Sequence, residues 1–172
     1  MRAVKSFKRI LVTTDLSQES LDAVSYAGRL ARNEGAALTL CYVPPTLATA
    51  YSHITATADM VAMDAAVRRT AAEKLEEWSV RHLKNVRRVD TVLGDGVPHE
   101  EICRIAVEVD AGLIVMATHG RRGFTHALLG SVAERVLRDA PCPVLVVRPR
   151  KSTSARATAP RRKTAKKARK SS

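Results

Sequence analysis

Five short apolar runs alternate along the first 147 residues with four segments whose apolar residues recur at helical spacing. Arg9-Ile10-Leu11-Val12-Thr13 reads as a first strand, closed by Thr14-Asp15-Leu16-Ser17. Leu21, Val24, Ala27, Gly28 and Ala31 line one face of a helix, and Gly35 supplies its C-terminal stop. Ala37 to Val43 is a second strand halted by Pro44-Pro45, and the small, polar residues Thr46 to Thr57 suggest a long loop. A long helix follows, with Met60, Met63, Val67, Ala71, Leu75 and Trp78 along one face. Asn85 to Leu93 contains a third strand, with Gly94-Asp95-Gly96 as its turn. Pro98 fits the first turn of a third helix, where Glu100 and Glu101 favour the dipole, and Ile102, Ile105, Ala106 and Val109 form its buried stripe. Leu113 to Ala117 is a fourth strand and Ser131 to Asp139 a fourth helix, in which Ser131 and Glu134 match a capping box. Pro141-Cys142-Pro143 stops it before the fifth strand, Val144 to Val147.

Strands separated by helices require crossover connections, so the pattern predicts an α/β fold with an open five-stranded parallel sheet and helices on both faces. The near-continuous apolar strands agree, because a central parallel strand is buried on both sides. In such a sheet ligands bind beyond the carboxyl ends of the strands, where the winding direction reverses. The most distinctive loops follow strands one and four. If those strands are neighbours at the reversal, Asp15 and the loop around Gly120 face one crevice.

Charge is divided unevenly. Of 29 Lys and Arg residues, 11 lie in Arg148 to Ser172, a stretch with no acid; the preceding 18 meet 17 Asp and Glu, leaving the body near neutral at +1. The tail holds no large apolar residue and cannot order itself by burial. Ala159 to Lys170 resembles the lysine-rich tails of histone-like proteins, which implies non-specific, salt-sensitive binding of nucleic acid or another polyanion; a solubilising extension is the alternative. A body of about 147 residues can bury roughly 70% of its unfolded surface, enough for a self-sufficient core. Cys41, Cys103 and Cys142 form no paired ligand spacing, and the five histidines add no metal signature. Met1 to Lys5 lacks the apolar core of a signal peptide, and no apolar run approaches the ~20 residues of a membrane helix. A soluble, cytoplasmic protein with no membrane partner is expected.

The chemistry concentrates in Ala117-Thr118-His119-Gly120, a nine-residue spacer, and Gly130-Ser131. A strand, a glycine-bearing loop and a helix start in that order can hold phosphate on backbone N–H groups. There is no GxxxxGK[ST] segment and no GxGxxG after the first strand, so neither a P-loop lysine nor a dinucleotide fingerprint is present. No general base stands out, and no local motif pairs His119 with a nucleophile. No catalytic residue is therefore expected, with slow hydrolysis as the upper limit.

The segments Ile10 to Asp15, Gly94 to Pro98, Met116 to Gly123 and Leu129 to Leu137, running into Ala140 to Val147, resemble the universal stress protein family. The resemblance covers about residues 6 to 150 and implies a domain over 1–150, after which composition predicts a disordered basic tail over 151–172. It also implies a Rossmann-like fold of the adenine nucleotide alpha hydrolase type, strand order 3-2-1-4-5, and a homodimer through Val144 to Val147. Nucleotide-binding members carry Gly, two residues, Gly, nine residues, Gly, then Ser or Thr; here Ala117 stands where the first Gly would be. Carried over, the family's ATP site puts Asp15 and Val43 near adenine and ribose, lined by Thr13 and Met116. Ala117 and Gly120 lie under ribose and phosphates. Gly130, Ser131 and Val132 present N–H groups to the phosphates, Arg121 reaches from the same loop, and Mg²⁺ or Mn²⁺ bridges the phosphate oxygens.

Each residue has a plainer role to set beside that one. Asp15 suits a helix cap, Ser131 an N-cap, and Gly120 and Gly130 a positive φ. Alanine at a left-handed position costs about 1–2 kcal/mol, though a residue ending a strand adopts negative φ and then only one methyl must fit beside the ribose. Two functions follow: an ATP-responsive stress regulator or switch, or a nucleotide-independent dimeric scaffold docked on a polyanion by its tail.

Overall fold

The computed structural model describes residues 7–44, 57–118 and 129–148. Five strands and four helices alternate: β1 (Arg9–Thr13), α1 (Gln18–Glu34), β2 (Ala37–Tyr42), α2 (Ala58–His82), β3 (Val89–Leu93), α3 (Pro98–Glu108), β4 (Leu113–Ala117), α4 (Ser131–Asp139) and β5 (Val144–Val147). The strands form one parallel sheet in the order β3-β2-β1-β4-β5. β1 and β4 are thus neighbours, and the winding reverses between them.

Alternation along the central strands divides the core in two. Ile10, Val12, Leu38, Leu40, Leu113 and Val115 face α1 and α2, where Ala23, Val24, Ala27, Ala71 and Leu75 cover them. Leu11, Cys41, Ile114 and Met116 face α3 and α4, packing on Ile102, Ile105, Ala133 and Val136. A Cβ on Gly28 would meet Leu83 Cδ2 at 2.8 Å, so glycine there lets α1 approach the C-terminal end of α2. Gly35 ends α1 at φ 63°, the left-handed conformation in which glycine escapes the Cβ penalty.

Two expectations need correction. The stripe predicted for α2 is core only in its C-terminal half: Ala71 and Leu75 are buried, whereas Met63 and Val67 are 55% and 49% exposed. Length is the reason, since a helix of 25 residues runs about 37 Å while a five-residue strand spans only about 17 Å. The capping box on α4 is the second. Ser131 is already the first helical residue, and the cap is Gly130, which offers no side-chain bond. The loop expected over Thr46 to Thr57 lies outside the described residues apart from Thr57, whose hydroxyl caps α2 at Met60 N–H.

Candidate functional site

The register collects the carboxyl-end residues into a row. Thr13 pairs with Cys41 and Val12 with Val115. One step further, Thr14 N–H donates to the Cys41 carbonyl at 2.9 Å. Extending the two registers sets Asp15 level with Val43 on one side and Thr118 on the other. Thr118 N–H donates to the Val147 carbonyl at 3.0 Å, and its own carbonyl accepts from Gly130 N–H at 2.8 Å. That second bond ties the end of β4 to the head of α4. The motif alone gives Thr118 no role; it is buried, and its backbone makes both of these bonds.

Faces separate the candidates. Val43 packs in the α3–α4 layer with Met116, and Thr13 alternates onto that side after Leu11. Thr13, Asp15 and Val43 are each half-buried, which leaves part of their surface at the crevice. Ala117 packs in the opposite layer, with the α1-side core. Its methyl group therefore fills space under α1.

The β1–α1 loop is held by hydroxyls. Ser17 caps α1, its Oγ accepting from Ser20 N–H at 3.3 Å, so Asp15 is not the cap. Instead Asp15 Oδ1 accepts from both the N–H and the hydroxyl of Ser17. Ser20, 3% exposed, donates its hydroxyl to the Ser17 carbonyl at 2.9 Å. The Thr14 hydroxyl must then be the donor in the 2.8 Å contact between Thr14 Oγ1 and Ser20 Oγ. Thr14 Oγ1 in turn accepts from Leu16 N–H at 2.9 Å. Leu16 sits at φ 61°, a left-handed conformation costing a non-glycine residue about 1–2 kcal/mol, and this network holds it there.

At the head of α4, Gly130 has φ −63° and ψ 146°, a conformation open to any residue. Positive φ therefore does not explain this glycine. What it supplies is the absence of a side chain before the N–H groups of Ser131, Val132 and Ala133, the first of the helix's donors. Ser131 is exposed and Val132 half-buried. His119, Gly120 and Arg121 lie outside the described residues.

A charged brace supports the floor beyond β3. Glu101 accepts from Arg104 at 2.9 and 3.0 Å and from Asp95 N–H at 3.2 Å. Arg104 holds the Glu101 carboxyl below its ordinary range, with the Asp95 N–H adding to the effect against the opposing influence of burial. Arg68 on α2 reaches Asp95 at 2.6 Å. Cys41, between Thr13 and this brace, has its thiol pushed up to about 12, mainly by burial, and is protonated at neutral pH. Among the described residues no group of three or more His, Cys, Asp or Glu side chains is arranged to hold a metal ion. None of the described helices is long and apolar enough to cross a membrane.

An open parallel sheet with a crevice at its reversal point, backed by a helix head, defines a doubly wound α/β protein of the ligand-binding type. The universal stress protein family model matches residues 6–148, and the chain belongs to that family. It is 34% identical over 149 residues to universal stress protein MJ0531 of Methanocaldococcus jannaschii, covering 83% of this chain and 82% of that one. Among solved structures, protein MJ0577 of the same organism superposes with a TM-score of 0.73 at 27% identity, covering 86% of this chain and 99% of that one. A universal stress protein solved in complex with cAMP aligns at 25% identity and a TM-score of 0.56, covering 85% and 100%.

Proposed function

We propose that the crevice between β1 and β4 binds ATP and that the chain is a nucleotide-responsive stress regulator, hydrolysing slowly at most. The observation that carries this reading is the α4 head. A glycine with an ordinary backbone caps it, and it is bonded through Thr118 to the strand beside Asp15. The solved relative that holds cAMP supports an adenine nucleotide as the ligand class. Asp15 and Val43 would meet base and ribose, with Thr13 and Met116 lining that end. Gly120 would lie under the phosphates, and Gly130, Ser131 and Val132 would donate N–H groups to them, with Arg121 adding charge. Ala117 stands at the ribose position of the motif, and the packing of its methyl in the α1-side layer supports a ligand passing it there. Mg²⁺ or Mn²⁺ would ride on the phosphate oxygens, since the described residues offer no cage of their own.

The test is to denature the purified protein and analyse released nucleotide, then add ATP-Mg to the emptied form. Saturation at about 100 times Kd should stabilise the fold by about 2.7 kcal/mol, read as a rise in Tm. No released nucleotide and no rise at millimolar ATP would overturn the reading.

The tail motivates a second, compatible role. Its nine cations over 151–172, without an acid, suit docking on nucleic acid or another polyanion, while the domain, residues 1–150, carries a net charge of only +3. Full-length protein should be retained on DNA at low salt and lost steeply as salt rises, whereas a 1–150 truncation should pass through. Equal retention of the two would remove this role.

A further inference from the structure

Two glycines follow β3 for different reasons. Gly96 has φ 121°, which a side chain would strain. Gly94 has no such backbone: its N–H simply extends the β2–β3 ladder to the Tyr42 carbonyl at 2.8 Å. Its constraint is space. A Cβ on Gly94 would lie 2.8 Å from Val43 Cγ2, 3.3 Å from Ile105 Cδ1 and 3.5 Å from Glu101 Cβ. Ile105 is fully buried and Glu101 is tied to Arg104 and Asp95, so neither neighbour retreats easily. Val43 is the nearest and the least enclosed of the apolar pair. Being β-branched, it has few side-chain rotamers with which to yield, and the Val43 wall itself must shift.

We propose that Gly94 is a positioning residue: by lacking a side chain it seats Val43, and so sets the width of the crevice where the nucleotide base enters. The inference rests on the adenine nucleotide reading of the crevice and adds a residue that touches no ligand. Val43 shares a face with Met116, and extending the β1–β2 register two residues past Thr13–Cys41 sets it opposite Asp15, so displacing it moves the wall of the base site.

The test is a two-residue cycle read by calorimetric titration with ATP-Mg on the full chain. Gly94→Ala should weaken ATP binding at least about tenfold, because the added methyl overpacks Val43. Val43→Ala removes the atom in conflict, so Gly94→Ala in that background should bind within about threefold of Val43→Ala alone. Gly94→Ala binding within about twofold of wild type would overturn the proposal, as would a double variant that binds about tenfold or more weaker than Val43→Ala alone. If Gly94→Ala does not fold, the comparison of the double variant with Val43→Ala decides alone: a further loss of tenfold or more on the order of 1.4 kcal/mol would show that the conflict is not with Val43. Wild type that binds no ATP would instead sink the nucleotide reading, and the positioning role with it.

Discussion

Gly130 and Ala117 occupy two positions of one glycine pattern, yet their backbones and packing give them opposite weights. At Gly130 an ordinary φ of −63° means that alanine is conformationally acceptable, so a methyl acts mainly on what approaches the helix head. Gly130→Ala should change stability by less than about 1 kcal/mol while lowering ATP affinity about tenfold, measured by thermal melts and titration together. Equal losses in both would reduce Gly130 to a structural glycine. Ala117→Gly should do the reverse. Its methyl packs with the α1-side core, so glycine there should cost about 0.5–1 kcal/mol of stability and leave ATP affinity within about twofold. A large gain in affinity would mean that the methyl does meet the ligand.

Elements differ in how much of their sequence pattern the fold uses. α2 repeats apolar residues along its length, but only the half lying over the sheet buries them. Leu75→Ala, at 1% exposure, should cost about 2–5 kcal/mol, whereas Met63→Lys should stay within about 0.5 kcal/mol in denaturant unfolding. A costly Met63→Lys would show that something covers that stripe in solution. The β3–α3 loop carries its own pH signature. The Glu101 carboxyl titrates below its ordinary 4.5 in the fold, so the folded chain keeps it ionised where the unfolded chain already takes up a proton. Its contribution is present above that range and is lost as pH falls below it. Between about pH 5 and about pH 3, wild type should therefore lose stability more steeply than Glu101→Gln, and parallel curves would assign the acid sensitivity elsewhere.

Across the whole molecule, the two sheet edges are unlike. β3 carries Asp90 outward, whereas β5 is Val-Leu-Val-Val, with every residue half-buried. Pro143 and Val147 turn their carbonyls to β4, so by alternation Val144 and Val146 present their backbone groups to the open edge. Among the described residues nothing pairs with this apolar edge, which invites pairing, and we propose a homodimer across it. Val146→Pro removes one outward N–H and keeps the inward ladder, so it should convert the dimer to monomer in sedimentation with the fold retained. A dimer that survives would place the assembly on another surface.

The sheet was legible because strand and helix periods alternate cleanly: β1, β2, β4 and β5 begin and end within a residue of where Ile10, Leu38, Leu113 and Val144 announce them, while β3 occupies only Val89–Leu93 of the Asn85 to Leu93 stretch. The order of those strands came from the family resemblance, since periodicity carries no information about neighbours. The candidate residues were legible as a motif: Asp15 and Val43 lie just past the carboxyl ends of β1 and β2, and Gly130, at the head of α4, is bonded to Thr118 just past β4. What each of them does there was not. A capping box and a first-residue serine share one sequence, and only the backbone path separates them. Ala117 and Met116 are adjacent in the chain but belong to opposite layers, because a strand alternates faces once its register is set. Sequence alone determined the elements, the family and the candidate residues, through local spacing and turn chemistry. The tertiary structure decided which of them share a wall, and why Gly94 has no side chain, because close approach is a property of pairs distant along the chain.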